Sequence, residues 1–194
     1  MSRQILAAFD EEGVFVYQAF KPGIVEAALA KGTFGAGFNL DRMTWIKPSF
    51  GWMLHRSGYA TKHRQERILK IKLCHDGFRT ILGRGVPTTF DGRRFRSPEE
   101  WRSALDGSEV RFQWDPDRDL ALHRLDRRAI QLGLSGRTVT QYVQEWILNL
   151  DDVTPLVRAV QAAVEEGTVV LPVVPEERVY PLDAELRERL GVRE

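Results

Sequence analysis

Residues 42–58, RMTWIKPSFGWMLHRSG, hold the densest group of side chains that could bind a ligand or catalyse a reaction. Guanidinium and ammonium groups bind phosphate and carboxylate oxygens, and an indole ring can stack on a base or attract a cation. A hydroxyl at the start of a helix can join free backbone N–H groups in binding an anion. The stretch therefore predicts a site for an anionic ligand that carries a flat ring. The side chains concerned are Arg42, Trp45, Lys47, Ser49, Trp52 and Arg56.

A helix that begins near Pro48 would divide this stretch into two faces, because residues three or four apart are neighbours on a helix. The face predicted to meet a ligand carries Ser49, Trp52 and Arg56. The face predicted to pack on the core carries Phe50, Met53 and Leu54. The alternative interpretation is structural, with the tryptophans in the core and the cations solvated or paired with carboxylates.

Polar side chains also interrupt the predicted strands. Tyr17 and Gln18 are adjacent in the segment VFVYQAF, so they point to opposite faces and we expect only one of them to be buried. Gln131 in AIQLGL raises a similar question, because a glutamine in an apolar strand needs hydrogen-bond partners from the protein or from a ligand. Glu66 stands where another strand begins. It could orient a hydroxyl or stabilise developing positive charge, or it is an exposed acid paired with a nearby cation.

Several common active-site chemistries find no support in the sequence. The four histidines show neither HxxxH nor HExxH spacing, and no GxSxG motif is present. Cys74 is the only cysteine, which excludes an intrachain disulfide and a cysteine-based zinc site. Asp115, Asp117 and Asp119 resemble the start of a calcium loop, but Leu120 occupies the place of the required glycine. We therefore expect no metal ion in the site.

The apolar periodicity of the chain predicts the elements that must position these residues. Predicted strands cover residues 14–20, 44–46, 66–73, 110–114 and 129–134. Predicted helices cover residues 22–32, 48–58, 97–105, 139–150 and 154–164. The acidic run DPDRD between the last two strands predicts a tight turn. The predicted fold class is α+β, with mixed, mainly antiparallel sheets and flanking helices.

Length and composition bound the class of protein. With 194 residues, 43% of them hydrophobic and 28% charged, the chain fits a single domain over residues 1–194. Residues 172–194 contain three prolines and predict a C-terminal segment that wraps the surface. The net charge of +1 provides no global attraction to an anionic membrane, so we expect no membrane partner. The single cysteine and the lack of a secretory signal predict a cytoplasmic protein.

Five sequence blocks occur in an order that resembles an uncharacterised bacterial and fungal family, a domain of unknown function. The blocks are VYQAF, RMTWIKPSFGWMLHRSG, QERIL, QWDPDRD and RAIQLGLSG. The resemblance covers nearly the whole chain, and the tryptophan-lysine-proline-serine block is its most specific part. It implies membership of the family but supplies no reaction.

The order of predicted elements also resembles, more distantly, that of the ADP-ribosyltransferase fold. The resemblance implies NAD as co-substrate and transfer of ADP-ribose to nucleic acid, protein or a small molecule. Gln18 stands where such enzymes usually have Arg or His, so the first motif departs from the pattern. The implied catalytic residues are Gln18, Ser49, and either Glu66 or Gln131. The implied cofactor-binding residues are Tyr17, Arg42, Trp45, Lys47, Trp52, Arg56 and Tyr59.

Two other functions remain open at the level of the sequence. In the first, the protein is a nucleic-acid-binding module in which Trp45, Trp52 and Trp114 stack on bases while arginines hold phosphates. In the second, it is an interaction protein whose aromatic residues are all core and whose C-terminal prolines contact a partner.

Overall fold

The computed structural model describes residues 1–193 and has the α+β fold class predicted from the sequence. The strands are β1 (Ser2–Arg3), β2 (Leu6–Ala7), β3 (Gly13–Phe20), β4 (Thr44–Ile46), β5 (Arg67–Cys74), β6 (Gly85–Pro87), β7 (Val110–Arg118), β8 (Arg124–Leu134), β9 (Ile147–Asp152) and β10 (Arg178–Val179). The helices are α1 (Pro22–Lys31), α2 (Phe50–Ser57), α3 (His75–Arg84), α4 (Pro98–Asp106), α5 (Gly136–Gln141), α6 (Thr154–Glu165) and α7 (Ala184–Leu190). A π-helical turn, Tyr142–Trp146, follows α5.

Two sheets contain most of the β-structure. In the three-stranded sheet, β5 lies between β3 and β9 and is antiparallel to both. In the five-stranded sheet, β8 pairs antiparallel with β7 along one edge and with β4 along the other. Strands β1 and β6 complete this sheet through parallel pairing with β8 and β7, so the sheet is mixed. Apolar side chains from both sheets, among them Val16, Leu69 and Leu132, share one large hydrophobic cluster.

Two backbone hydrogen bonds between Tyr17 and Lys47 connect the two sheets. The Tyr17 N–H donates to the Lys47 carbonyl over 2.7 Å, and the Lys47 N–H donates to the Tyr17 carbonyl over 3.2 Å. Lys47 follows β4 directly, so this pair links the edge of the three-stranded sheet to the edge of the five-stranded sheet. We call this pair the sheet joint.

The side chain of Gln18 reinforces the sheet joint. Its Nε2 donates to Thr44 Oγ1 over 2.7 Å and to the Trp45 carbonyl over 3.1 Å. Its Oε1 accepts a 2.7 Å hydrogen bond from the Tyr142 hydroxyl. The expectation that only one of Tyr17 and Gln18 is buried is wrong, since their exposed fractions are 0% and 2%. Helix α2 packs on β3, while Thr44 and the π-helical turn contact the Gln18 side chain, so both side chains are covered.

The helix predicted over residues 139–150 is wrong in its second half. Helix α5 ends at Gln141, and β9 begins at Ile147. β9 pairs with the free edge of β5, where Ile147 lies opposite Leu73 and Leu150 lies opposite Ile71. Residues 147–150 have the apolar spacing of a helix, but their backbone forms hydrogen bonds with β5 in place of the hydrogen bonds of a continued helix.

The turn predicted for DPDRD is also wrong, because the run lies largely within β7. Asp115 pairs with Ala129 and Pro116 with Arg128, and the register shifts after Pro116. Proline is tolerated in strands at such irregular positions. The Asp115 carboxylate accepts hydrogen bonds from Gln113 and Gln131, which stabilises it within the sheet.

Helix α2 has the boundaries that its sequence signals predict, within two residues. The Ser49 hydroxyl caps its first turn by accepting the Trp52 N–H, and Gly58 ends it in a left-handed conformation with φ of 58°. Its first turn approaches β7 so closely that a Cβ added at Gly51 would lie 2.2 Å from the Arg118 carbonyl oxygen. This contact fixes α2 against the five-stranded sheet.

Gly51→Ala tests that contact. We expect the substitution to lower the free energy of unfolding by about 2 kcal/mol or more, because the added methyl group overlaps backbone that cannot move freely. Chemical denaturation at equilibrium would measure the change.

The matched control is Gly23→Ala, which lies in α1 with nothing within 4 Å of the added Cβ. We expect this control to be neutral or stabilising by about 0.5–1 kcal/mol, as for alanine replacing glycine in a helix. Equal effects of the two substitutions would contradict the proposed close approach.

Candidate functional site

A cleft of about 520 Å³ opens beside the sheet joint. Its walls come from the end of β3, the start of α1, the glycine-containing loop before β4, one face of α2 and the loop that precedes β5. The lining comprises residues 18–21, 37–39, 42–45 and 63–65, together with Ile24, Lys47, Met53 and Arg56. Segments distant in the sequence therefore meet around one opening.

The cleft is strongly basic. Among residues 1–193 its lining contains no aspartate or glutamate, although acidic and basic residues are almost balanced in the chain as a whole, 27 against 28. Four of the lining cations are exposed and form no ion pair or side-chain hydrogen bond with any residue in the range 1–193: Lys21, Arg42, Arg56 and Arg64. The remaining basic groups of the lining are Lys47 and His63. An anion that enters the cleft would therefore bind these cations without displacing a carboxylate of residues 1–193.

Lys47 is the exceptional cation of the cleft because it is buried, with 6% of its surface exposed. Its Nζ donates to the Trp45 carbonyl over 3.2 Å and lies 5.3 Å from the ring centroid of Trp52. Burial, reinforced by the positive charge of Arg56 and partly offset by Asp115, lowers the pKa of Lys47 to about 7. At neutral pH much of this group is therefore a free amine, the form of lysine that acts as a nucleophile or base.

The loop between α2 and β5 holds its part of the cleft wall in a fixed conformation. φ is positive at three consecutive residues after α2 and again at Arg64. The Ser57 hydroxyl donates to the Met53 carbonyl over 2.9 Å and accepts the Ala60 N–H over 3.1 Å. The Arg64 N–H donates to Glu66 Oε1 over 2.8 Å. Left-handed backbone at non-glycine residues costs about 1 kcal/mol or more each, and such strain often accompanies functional sites.

The residues predicted as a site divide into two groups. Those that line the cleft are Gln18, Arg42, Trp45, Lys47 and Arg56. Those that do not line it are Tyr17, Ser49, Trp52, Tyr59, Glu66 and Gln131. The cations and one indole of the predicted site are therefore brought together, whereas most of the predicted catalytic groups are not.

Ser49 points away from the cleft. Its hydroxyl donates to Asp117 Oδ1 over 2.8 Å and accepts the backbone N–H of Trp52. The three side chains predicted to pack on the core are at most 2% exposed, as expected, and Arg56 lines the cleft. The predicted ligand face is wrong for Trp52, which is 7% exposed and lies outside the lining, beside Lys47. Proximity to β7, rather than helical spacing alone, decides which face of α2 remains accessible.

Neither of the two predicted cofactor-binding tyrosines is available in the cleft. Tyr17 is fully buried against Phe50, with the ring centroids 5.2 Å apart. Its hydroxyl has no hydrogen-bond partner, and burial raises the pKa of Tyr17 well above its usual value. The Tyr59 hydroxyl donates to the Leu120 carbonyl over 2.6 Å on another side of α2. Both rings serve packing.

The polar residues predicted for catalysis are engaged within the protein. Gln18 forms part of the cleft wall, but both ends of its amide are hydrogen-bonded to the protein. Glu66 accepts the Arg64 N–H, and the Gln131 Nε2 donates to Asp115 Oδ2 over 2.7 Å. These groups therefore do not meet with Ser49 around one ligand.

Sequence reasoning missed the loop residues of the cleft, notably Lys21, Phe38, His63 and Arg64. A signal was present in the chain. Lys21 directly follows a strand, and His63 and Arg64 lie in the basic run between a helix and a strand. Residues in such connections often carry function because the elements on either side fix their position.

A second polar cluster holds the N-terminus of α2. The Phe50 N–H donates to Glu177 Oε1 over 2.5 Å, and Asp117, which is 1% exposed, accepts hydrogen bonds from Ser49 and Arg127. Burial, together with the nearby Asp117 carboxylate, raises the pKa of Glu177 to about 8. The C-terminal segment thus contributes the side chain that contacts the first turn of the helix bearing Arg56.

The fold and the cleft define an α+β protein with a basic, solvent-accessible cleft where two sheets meet. Within residues 1–193, no cluster of histidine, cysteine, aspartate and glutamate is suited to holding a metal, and no helix is long and apolar enough to span a membrane. The chain belongs to the family described as a domain of unknown function, DUF4291, whose model matches residues 4–180. The family membership predicted from the sequence blocks is thereby confirmed. A comparison with curated proteins gave no match.

Lys47→Met tests whether the buried amine is an energetic cost to the fold. The folded protein holds Lys47 with a pKa of about 7, whereas the unfolded chain protonates it near 10.5, so wild-type stability falls as pH decreases from 10.5 to 7. We expect Lys47→Met to raise the free energy of unfolding by about 1–4 kcal/mol at pH 7, with a smaller gain at pH 10. Denaturation at both pH values would show this, and a less stable variant at pH 7 would contradict it.

Glu177→Gln tests the second cluster. Because the folded pKa of Glu177 is about 8 and its usual value is 4.5, the stability contributed by its protonated form is present below pH 4.5 and is lost as pH rises through 8. Glutamine keeps an oxygen for the Phe50 N–H and does not ionise. We expect the variant to match wild type near pH 5 and to be more stable by about 1–3 kcal/mol at pH 9. Melting temperatures of wild type and Glu177→Gln would be measured from pH 5 to pH 9. The same pH dependence in both proteins would contradict a raised pKa of Glu177.

Proposed function

We propose that the cleft binds a nucleotide through its phosphate groups. The observation that carries this proposal is the set of exposed cations at Lys21, Arg42, Arg56 and Arg64. Within residues 1–193 they have no ion-pair partner, and the lining contains no carboxylate. Nucleoside di- and triphosphates carry several negative charges on adjacent phosphates. Arginine is well suited to such ligands because its planar group can donate two parallel hydrogen bonds to one phosphate.

Size and aromatic content support a nucleotide over a simple inorganic ion. The cleft volume of about 520 Å³ lies within the range of small-molecule sites. Trp45 and Phe38 are both half-buried in the lining, where their rings can contact a base, and the other side of the Phe38 ring stacks on Phe34. A nucleotide ligand also suits the cytoplasmic location predicted from the sequence.

NAD is one member of this ligand class, because it has two phosphates and two aromatic bases, adenine and nicotinamide. Transfer of ADP-ribose from NAD stays a prediction. The basic cleft supports it, whereas most of the catalytic residues implied by the resemblance to ADP-ribosyltransferases do not. Ser49, Glu66 and Gln131 lie outside the lining, so a transferase would have to use other groups. The proposal of nucleotide binding does not depend on that reaction.

Charge removal in the cleft tests the proposal. We expect ADP, ATP and NAD to bind wild-type protein measurably in calorimetric titrations at low salt and more weakly at high salt. Arg42→Ala and Arg56→Ala should each weaken binding about 5- to 10-fold, the loss of about 1–1.4 kcal/mol of interaction with phosphate. Both residues are exposed, and neither side chain forms a hydrogen bond or ion pair within residues 1–193, so folding should be unaffected.

Arg102→Ala is the matched control, since Arg102 is an exposed cation of α4 outside the cleft lining. It should bind nucleotides as wild type does. Equal losses for Arg102→Ala and Arg42→Ala, or no binding by wild type, would refute the cleft as a nucleotide site. A single-stranded oligonucleotide that binds in place of mononucleotides, with the same dependence on Arg42 and Arg56, would favour the nucleic-acid module instead. Nicotinamide release from bound NAD would separately report ADP-ribose transfer.

A further inference from the structure

Lys47 is chemically distinct from the other cations of the cleft. Lys21, Arg42, Arg56 and Arg64 are exposed, whereas Lys47 is a buried residue of the lining with its amine beside the Trp52 ring. Within residues 1–193 no carboxylate forms an ion pair with Lys47, and its Nζ donates only to the Trp45 carbonyl. A buried amine without an acidic partner is a poor permanent cation, because burial penalises its charged form.

The backbone holds this amine in place. The hydrogen bonds of the sheet joint fix the main chain of Lys47 on both its N–H and its carbonyl side. Lys47 is therefore held at a rigid strand edge, and it lines a cleft whose other cations are exposed. Positioned nucleophiles require such a rigid base, since small displacements sharply reduce reactivity.

We propose that Lys47 Nζ is the nucleophile of the cleft and attacks the α-phosphorus of a bound nucleotide, which gives a covalent lysine–nucleotidyl intermediate. This inference rests on the proposed nucleotide binding. The nitrogen lone pair forms a P–N bond, and the bond between the α-phosphorus and the bridging oxygen breaks. The bridging oxygen leaves with the electron pair, as pyrophosphate from a nucleoside triphosphate or as nicotinamide mononucleotide from NAD. The amine proton passes to solvent.

Three features of the cleft favour this step. The pKa of Lys47, about 7, makes the neutral amine abundant without a separate base. The charged groups that act on it are Arg56 from α2 and Asp115 from β7. The exposed cations Lys21, Arg42 and Arg64 can stabilise the charge that develops on the phosphates and on the leaving group. The α-phosphorus is the electrophile that nucleoside triphosphates and NAD share, so the same step serves either source.

Intact-protein and peptide mass spectrometry would test the proposal. Full-length protein would be incubated separately with ATP and MgCl2 and with NAD and MgCl2. An adduct with the mass of one adenylyl group on Lys47, stable in alkali and labile in acid as a P–N bond is, is the expected result. Lys47→Met should lose the adduct, while Lys31→Met, a lysine outside the cleft lining, should form it as wild type does.

The same preparations would be titrated with nucleotide, so that binding and reaction are judged separately. Adduct from ATP alone or from NAD alone supports the inference and identifies the nucleotide source. Binding without any adduct overturns the inference and leaves the proposed function intact. An adduct with the mass of an ADP-ribosyl group, or one spread over other lysines, overturns it as well. Absence of both binding and adduct refutes the proposed function itself.

Discussion

The backbone pair between Tyr17 and Lys47 is the constraint on which the rest of the structure depends. It connects a three-stranded and a five-stranded sheet through two hydrogen bonds at a single position. Covering both faces of β3 buries Tyr17 and Gln18 together, and it leaves Lys47 where its amine has little access to water. Burial at the sheet joint thus disfavours the charged form of Lys47. The cleft beside the joint therefore contains an amine with a lowered pKa, unlike an exposed lysine.

The elements that the sequence predicts correctly are those that carry local signals. Strand β3 ends just before Pro22, which begins α1, and α1 ends at Gly32 with φ of 77°. Helix α2 is marked by Ser49 and Gly58, whose capping hydrogen bonds need only neighbouring residues. Each of these signals acts within a few residues, so it can be recognised without knowledge of the tertiary structure.

The errors arise where distant strands decide the local conformation. Residues 147–152 have the spacing of a helix but complete the edge of β5, and DPDRD has the composition of a turn but pairs with β8. Helix α3 was not predicted because its capping residue is Cys74, an uncommon helix start. For β9 and β7 the conformation depends on pairing with another strand, and the apolar pattern alone does not identify that strand.

The same distinction applies to the cleft. Charge and composition were sufficient to select Arg42, Lys47 and Arg56, because cations in a short segment must share a neighbourhood. They were insufficient for Ser49, whose partner Asp117 lies 68 residues further along the chain. They also missed the loop cations Lys21 and Arg64, which only the tertiary structure brings to the same opening.

The long-range hydrogen bonds around the cleft have a consequence for biosynthesis. The bond between Gln18 and Tyr142 spans 124 residues, and the one between Phe50 and Glu177 spans 127. Contacts of such separation form late and slow folding, because the intervening chain must first be ordered. Until Glu177 has been synthesised, the first turn of α2 lacks its acidic partner. The cleft therefore reaches its final form only after Glu177 has been added, and shorter nascent chains would lack a finished ligand site.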